Sequence, residues 1–368
     1  MTEQEEEKLF ELELSVAKGK KRIRDLYNQT NGACYLSFSG GKDSTVVLAL
    51  IKLCEEDGDI PKNAIPAVFC DTKIEMDATL DFVKWVKDNY YGNVQIIKTP
   101  KTFGEVIREY GKPMISKVKS KELENLAKQK RNGVLENYHN LDRLLGIDYG
   151  TGIFHKIKIA NKDLHVLHED FDIAISSECC HQMKKIPFEL YVKDNNIKGC
   201  FTGERMAEGG ARLIMFKKKL ASGQSVCTRI KGPYTVKTPI VDWSDEILEY
   251  FIQEYNVPLS RAYIEYGCKR TGCFLCPFSQ QLYSDLKVLY VKEPKKYKAS
   301  LGFLKDVYIA QGVKLDFDPA YMDEFNKTWP KYEAMRYEML KKYRPDCRLA
   351  KQYEKDHKDD GQLSFNLN

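Results

Sequence analysis

Apolar and polar residues follow two rhythms along this chain. Residues 3–28 set Leu9, Leu12, Val16, Ile23 and Leu26 among many charges, a spacing that predicts an amphipathic helix. "CYLSF" (34–38) is a short β-prone run that ends at two glycines, and "DSTVVLALIKLCEE" returns to helical spacing. "IPAVFCDT" (65–72) predicts a second strand, "DATLDFVKWVKDNY" a helix and "NVQIIKT" a third strand. Alternation of strand and helix at this spacing predicts an α/β fold, a doubly wound and mostly parallel sheet covered by helices.

From about Gly111 to Asp170 the rhythm breaks, and "KVKSKELENLAKQKRNGVLENYHNLDRLLG" reads as a polar helical insertion rich in lysine. The α/β pattern returns with "IKGCFTGER" (197–205) and "YTVKTPIVDW" (234–243). "SDEILEYFIQEYNV" predicts a helix capped by Ser244. Ile247 stands where a capping-box acid would, while Asp245 and Glu246 suit the first turn. After Tyr283 the chain is rich in Lys and Tyr and mostly helical, and "HKDDGQLSFNLN" reads as a loose tail. The expected organisation is an N-terminal helix (1–30) and an α/β domain (31–260) with the insertion at about 111–170. A cysteine-bearing segment with a helical C-terminal region (261–345) and a tail (346–368) follow. There is no internal repeat.

Composition changes this picture in a few places. A chain of 368 residues with 43% apolar and 30% charged content fits a soluble globular protein. No apolar run approaches the roughly 18 residues of a membrane span. The opening residues, acidic then basic, lack the apolar core of a signal peptide. The net charge of +5 says little, but its distribution says more. Between Glu208 and Asp242 there is no acidic residue, whereas Arg212, Lys217, Lys218, Lys219, Arg229, Lys231 and Lys237 fall inside. Such a stretch suits either a solvated face or a polyanionic partner. Eleven cysteines without an export signal argue for reduced thiols or metal ligands and a cytoplasmic location, not a disulfide framework.

The chemistry concentrates in "YLSFSGGKDSTVVLAL" (35–50). A strand end, a glycine loop and a helix start set several backbone N–H groups and a positive helix terminus around one anion. Gly40 and Gly41 let the backbone approach a ligand, Ser39, Ser44 and Thr45 supply hydroxyls, and Lys42 supplies a charge for a phosphate oxygen. The nucleotide P-loop pattern is not met, because Asp43 follows Lys42 and no glycine has the required spacing.

Ser39-Gly40-Gly41-Lys42-Asp43-Ser44 is identical to the PP-loop of the ATP pyrophosphatases, enzymes of the adenine-nucleotide α-hydrolase fold that cleave ATP between its α and β phosphates. Further segments resemble the phosphoadenosine phosphosulfate reductase family in that family's order. "CDTKIEMDAT" is similar to its Asp-Thr-Gly motif, with Lys73 in place of the glycine. "ECCHQMKKIP" (178–187), "TGERMAEGGAR" (202–212), "TPIVDWSDEILEYFIQEYNVP" and "GCKRTGCFLCPF" follow, so the resemblance covers roughly residues 33–280. It implies a nucleotide site built from Ser37, Ser39, Gly40, Gly41, Lys42, Asp43, Ser44, Asp71, Gly203, Arg205 and Arg212, with Lys42, Asp43 and Arg205 in the reaction. Asp71 at a strand end suits the ribose or a Mg²⁺ bridging phosphates, or else simply caps a helix. Arg205 and Arg212 suit phosphate or sulfate oxygens, since a guanidinium offers paired donors.

The cysteines add a second centre. Cys273 and Cys276 form a Cys-x-x-Cys pair, Cys268 precedes them, and Cys179 and Cys180 are adjacent. Thiolates at such spacing can ligate a soft metal. The family's iron–sulfur members hold a 4Fe–4S cluster with the adjacent pair and the Gly-Cys-x-x-Cys pair, which implies Cys179, Cys180, Cys273 and Cys276 here. Cys268 is a fifth thiol that can replace Cys179 or act as a sulfur carrier. Zinc on the same thiolates, with His181 as an alternative ligand, is the other reading. Cys34, Cys54 and Cys70 lie in apolar runs and read as core.

Two chemistries compete within this resemblance. Sulfonucleotide reductases attack sulfate with a C-terminal cysteine in a Glu-Cys-Gly-type motif. Cys347, in "YRPDCRLAKQ", does not match that motif, and the PP-loop here is intact. The favoured expectation is an ATP- and Mg²⁺-dependent enzyme that adenylates a substrate and passes the activated atom to sulfur, similar to DNA phosphorothioation enzymes and tRNA thiolases. A nucleic-acid substrate and a sulfur donor such as a cysteine desulfurase are its implied partners. The alternatives are reduction of phosphoadenosine phosphosulfate or adenylyl sulfate, and a non-catalytic module that binds nucleotide and zinc.

Overall fold

The computed structural model describes residues 2–132, 139–147, 157–231 and 234–356. Parts of the insertion (133–138 and 148–156) and residues 357–368 of the expected tail (346–368) lie outside the described residues, while Arg348–Asp356 of that tail is helical. The chain begins α1 (Glu3–Gln29), β1 (Cys34–Ser37), α2 (Lys42–Glu56), β2 (Ala67–Asp71), α3 (Asp77–Trp85) and β3 (Val94–Lys98). Next come α4 (Phe103–Tyr110), α5 (Lys117–Arg131), α6 (His139–Leu145), α7 (Ile186–Asp194), β4 (Gly199–Phe201) and α8 (Gly210–Ala221). The remainder is β5 (Thr228–Lys231), β6 (Tyr234–Lys237), α9 (Asp245–Glu254), α10 (Arg261–Ile264), α11 (Leu282–Lys292), α12 (Pro294–Ala310), α13 (Pro319–Tyr343) and α14 (Arg348–Asp356).

Two compact units share this chain. One is Met1–Thr102 with Gln182–Phe274, and the other is Phe103–His181 with Leu275–Asn368. The first holds a six-stranded sheet in the order β3-β2-β1-β4-β6-β5. All its pairings are parallel except the last, β6 with β5. The expected α/β class and mostly parallel sheet are therefore present. Side chains of a strand alternate between faces, and both faces here are covered. Cys34, Leu36, Ala67, Phe69 and Val94 join the buried residues of α1, α2 and α9 in one core. Tyr35, Val68, Cys200 and Val236 pack with Tyr191 and Val192 of α7 in the other.

Strand β5 has no counterpart among the expected elements. "TRIK" carries a single apolar side chain, Ile230, which is 85% exposed, so burial gives no signal. Backbone pairing with β6 alone makes it a strand, and it lies inside the acid-free stretch.

The second unit contains no strand among its described residues and is helical, as expected of the insertion and the C-terminal region. Its core is aromatic. Tyr308 is fully buried and donates to Leu275 O at 2.9 Å, and Tyr321 donates to Val313 O at 3.0 Å. His165 is enclosed by Phe171, Trp329 and Tyr332, with ring centroids 5.7–6.2 Å away. Burial pushes the imidazole pKa down to about 4, because a charged ring loses its hydration there.

Candidate functional site

The glycine loop joins the C-terminal end of β1, a central strand of the sheet, to the first turn of α2. Ser37 ends the strand, buried Phe38 anchors the chain, and Gly41 is the N-cap of α2 with no side-chain cap. A helix start without a capping side chain leaves amide hydrogens for an anion. Gly40 has φ +67°, a conformation that favours glycine, and a Cβ there would press on Val83 at 3.0 Å and Thr79 at 3.2 Å. The loop is laced by hydroxyls. Ser44 Oγ donates to Gly41 O (2.9 Å) and accepts from Ser39 N (3.2 Å), while Gly41 N donates to Ser39 Oγ (3.3 Å). Thr45 Oγ1 also donates to Gly41 O (3.0 Å). The Lys42 ammonium is 3.7 Å from the exposed carboxylate of Glu249 on α9, a contact that solvent screens.

A second segment closes on the loop from strand β4. Gly203 lies against the start of α2, where a Cβ would meet Asp43 C at 2.8 Å and Ser44 N at 2.9 Å. Two residues on, the Arg205 side chain is 4% exposed. Its Nε donates to Asp43 Oδ1 at 2.5 Å, Nη2 to Asp245 Oδ1 at 2.8 Å, and Nη1 to Trp243 O at 3.3 Å. Burial works against the charge, but Asp43 and Asp245 outweigh it and raise the guanidinium pKa above its ordinary value. The guanidinium expected on phosphate oxygens is turned instead toward the acid of the loop, which it holds in place.

Arg212 is on α8, 42% exposed, paired with Glu208 one turn back and 3.8 Å from Glu204. Arg229 also pairs with Glu204. Two of the cations in the acid-free stretch are thus neutralised from outside it, whereas Lys217 and Lys218 are exposed. Asp71 ends β2, where Oδ1 accepts from Lys73 N at 3.0 Å and Oδ2 contacts Lys73 Nζ at 2.5 Å. Lys73, in the place of the family's glycine, has φ +65°. The conformation a glycine would take is kept, and its side chain turns back to Asp71.

The cysteines divide between the units. Cys179, Cys180 and Cys276 belong to the helical one, Cys268 and Cys273 to the sheet-bearing one. Cys179 is buried, and its Sγ is 3.9 Å from that of Cys180. His181 opens a five-residue π-helical turn (His181–Lys185) directly after the pair. Cys273 bridges Glu75 in the loop after β2, and Cys268 N donates to Ala262 O at 2.9 Å. The thiols are the right donors for a soft metal. Among the described residues, however, no group of three or more His, Cys, Asp or Glu is gathered as ligands. Cys34, Cys54 and Cys70 are buried, with thiol pKa values raised by burial to about 11, 12 and 12.

Two residues on the loop's rim went unsignalled in the sequence. Tyr263 Oη accepts from Lys42 N at 3.1 Å, and Thr271 Oγ1 lies 3.0 Å from where a Gly41 Cβ would be. Each comes from a segment more than two hundred positions away, and no local pattern marks such a pairing.

Comparison with known proteins matches residues 33–147 and 151–279 to the phosphoadenosine phosphosulfate reductase domain. Two uncharacterized proteins of Methanocaldococcus jannaschii are similar. MJ0066 is 32% identical over 259 residues, 69% of this chain and 38% of that protein. MJ0973 is 34% identical over 107 residues, 29% of this chain and 23% of that protein. The chain therefore spans well under half the length of either relative. Solved structures that resemble it include a phosphoadenylyl-sulfate reductase from Candida auris in a phosphate complex, at TM-score 0.40 and 14% identity, covering 69% of this chain and 87% of that one. Another is an FMN adenylyltransferase from Candida glabrata with FAD and inorganic pyrophosphate, at TM-score 0.39 and 12% identity, covering 72% and 65%. The domain match takes in the glycine loop, the Gly203–Arg212 segment and all five candidate ligand cysteines, and by it the chain belongs to the phosphoadenosine phosphosulfate reductase family.

Proposed function

We propose that the chain binds Mg²⁺-ATP at Ser39–Ser44, cleaves it between the α and β phosphates, and adenylates an oxygen of a nucleic-acid acceptor for replacement by sulfur. The reading rests above all on one observation. The uncapped N-terminus of α2 opens at a complete Ser-Gly-Gly-Lys-Asp-Ser loop whose acid is fixed by a buried arginine. In this reading the acceptor oxygen attacks the α-phosphorus, the bond to the bridging oxygen breaks, and pyrophosphate leaves. A sulfur nucleophile then displaces AMP. Amides at the loop and the Lys42 ammonium carry the charge that grows on the departing pyrophosphate. Asp71 at the end of β2 is the candidate carboxylate for Mg²⁺, which would neutralise phosphate oxygens. Arg205 acts through Asp43 as a positioning residue. Ser37, Gly203 and Arg212 would line the nucleotide.

The exposed Lys217 and Lys218 support a polyanionic acceptor. The five thiols support a 4Fe–4S centre, with zinc as the other occupant, and a sulfur donor such as a cysteine desulfurase. The test uses anaerobically purified full chain. Iron, zinc and acid-labile sulfide are measured, and pyrophosphate release from ATP is followed with and without DNA or tRNA. Pyrophosphate release stimulated by one nucleic acid, with iron and sulfide near four per chain, is the expected result. Sulfite release from a sulfonucleotide without ATP cleavage would move the assignment to a reductase, and zinc with neither activity would leave a binding module.

A further inference from the structure

The Lys42 amide has one hydrogen and faces a hydroxyl from a distant segment. Tyr263 Oη accepts from Lys42 N at 3.1 Å and from Thr271 N at 3.3 Å, and shares a hydrogen bond with Thr271 Oγ1 at 3.2 Å. A phenolic oxygen has two acceptor positions and one hydrogen, so these three contacts use its full capacity. The other loop amides with side-chain acceptors, Ser39 N and Gly41 N, are served by hydroxyls of the loop itself. Among the described residues Tyr263 is the one side chain from outside the loop that accepts from a loop amide, and it places an oxygen where a phosphate oxygen on the first amide of α2 would sit.

Its position is well determined. Ser260 caps the short helix α10, accepting from Ala262 N at 3.2 Å and donating to Ala78 O at 2.9 Å, and Arg261 pairs with Asp81 at 3.0 Å. Beyond Tyr263 the chain passes Cys268 to Thr271, then binds the loop after β2 through Cys273–Glu75 and through Phe274 N donating to Ile74 O at 2.9 Å. The Tyr263–Thr271 contacts thus close a loop that contains Cys268, and one end of that closure is the nucleotide loop.

We propose that Tyr263 is a latch that competes with phosphate for the Lys42 amide, so that filling the loop frees Tyr263 and loosens the Cys268-bearing segment. This rests on the reading of Ser39–Ser44 as a phosphate site. It links the two centres of the sequence by one exchange of hydrogen-bond acceptors, in which a phosphate oxygen replaces the phenol. The device would loosen the backbone around Cys268, which is already half-buried rather than enclosed, when nucleotide is bound.

The experiment titrates Mg²⁺-pyrophosphate into full-length wild type, Tyr263→Phe, Thr271→Val and Lys42→Ala by calorimetry. Amide hydrogen exchange of residues 263–271 is followed in parallel. Tyr263→Phe is expected to bind about 2- to 10-fold tighter, the worth of one net hydrogen bond. Thr271→Val moves the same way by less, and pyrophosphate accelerates exchange across 263–271 in wild type. A purely structural role for the phenol would not tighten binding. Weaker binding by Tyr263→Phe at unchanged thermal stability would make the hydroxyl a phosphate ligand and overturn the latch. Equal affinity with unchanged exchange would also overturn it, and if wild type binds while Lys42→Ala does not, the phosphate-site reading survives. No binding by wild type would remove that reading and the latch together.

Discussion

The sheet-bearing unit and the helical unit use polar groups in opposite ways. In the first, polar side chains converge on a backbone loop: Ser39 and Ser44 lace it, Asp43 is clasped by Arg205, and Tyr263 reaches its first helical amide. In the second, polar tips are dispersed through an aromatic core, with Tyr308 and Tyr321 each donating to a single carbonyl and His165 held among rings. A helix start without a capping side chain is a place for a ligand, whereas a core of packed rings is a support. The cysteines fall on both sides of this division. Every candidate residue of the glycine-loop site, by contrast, belongs to the sheet-bearing unit.

The sharpest way to break the comparison is Arg205→Met. It removes the only described partner of Asp43 and one partner of Asp245 from a buried position, and loss of one member of such a pair costs about 3–5 kcal/mol. Exposure of Asp245 places the expected loss at the lower end, about 3 kcal/mol. Chemical denaturation reads it, and unchanged stability would show that the clasp does not organise the loop. Lys42→Ala should lower pyrophosphate release about 100- to 1000-fold, the usual cost of one donor on developing charge. Iron and sulfide content should not change, and their loss would mean the two centres are not separable.

Gly203→Ala should cost up to about 3 kcal/mol, because the new methyl group meets the backbone of Asp43 and Ser44, which cannot swing aside as a side chain would. Equilibrium unfolding and ATP binding measured together would check it, and a variant as stable as wild type would dispute the close approach. In the helical unit the lever is pH. The folded-state pKa of His165 is depressed below its unfolded value, so its contribution is complete above about pH 6.5 and is lost as pH falls from there toward 4. Stability at pH 5 should be about 1–2 kcal/mol lower than at pH 7 on this account, and His165→Phe should flatten the dependence. If the slope persists in that variant, other groups set the acid limit.

Much of the sheet-bearing unit was readable because its signals are local. Three strand–helix alternations, the uncapped glycine loop and the Ser244 cap, which accepts from Ile247 N at 3.1 Å, each lie within a short window. β5 was not, since an exposed edge strand buries no side-chain pattern and owes its form to β6. Arg205 was legible as a candidate beside the loop, but its partners were not. Asp43 is 162 positions away, and nothing in either segment announces that the guanidinium turns to a carboxylate.

The sequence by itself determined the α/β class and marked the glycine loop and the cysteine pairs as candidates, because hydrophobic periodicity, glycine conformation and thiol spacing act over a few residues. The tertiary structure alone decided that Arg205 clasps the loop's aspartate, that Tyr263 sits on the Lys42 amide, and that the five candidate cysteines divide between two compact units. Those outcomes depend on which distant segments share a core, and that is settled by the summed burial of both faces of the sheet.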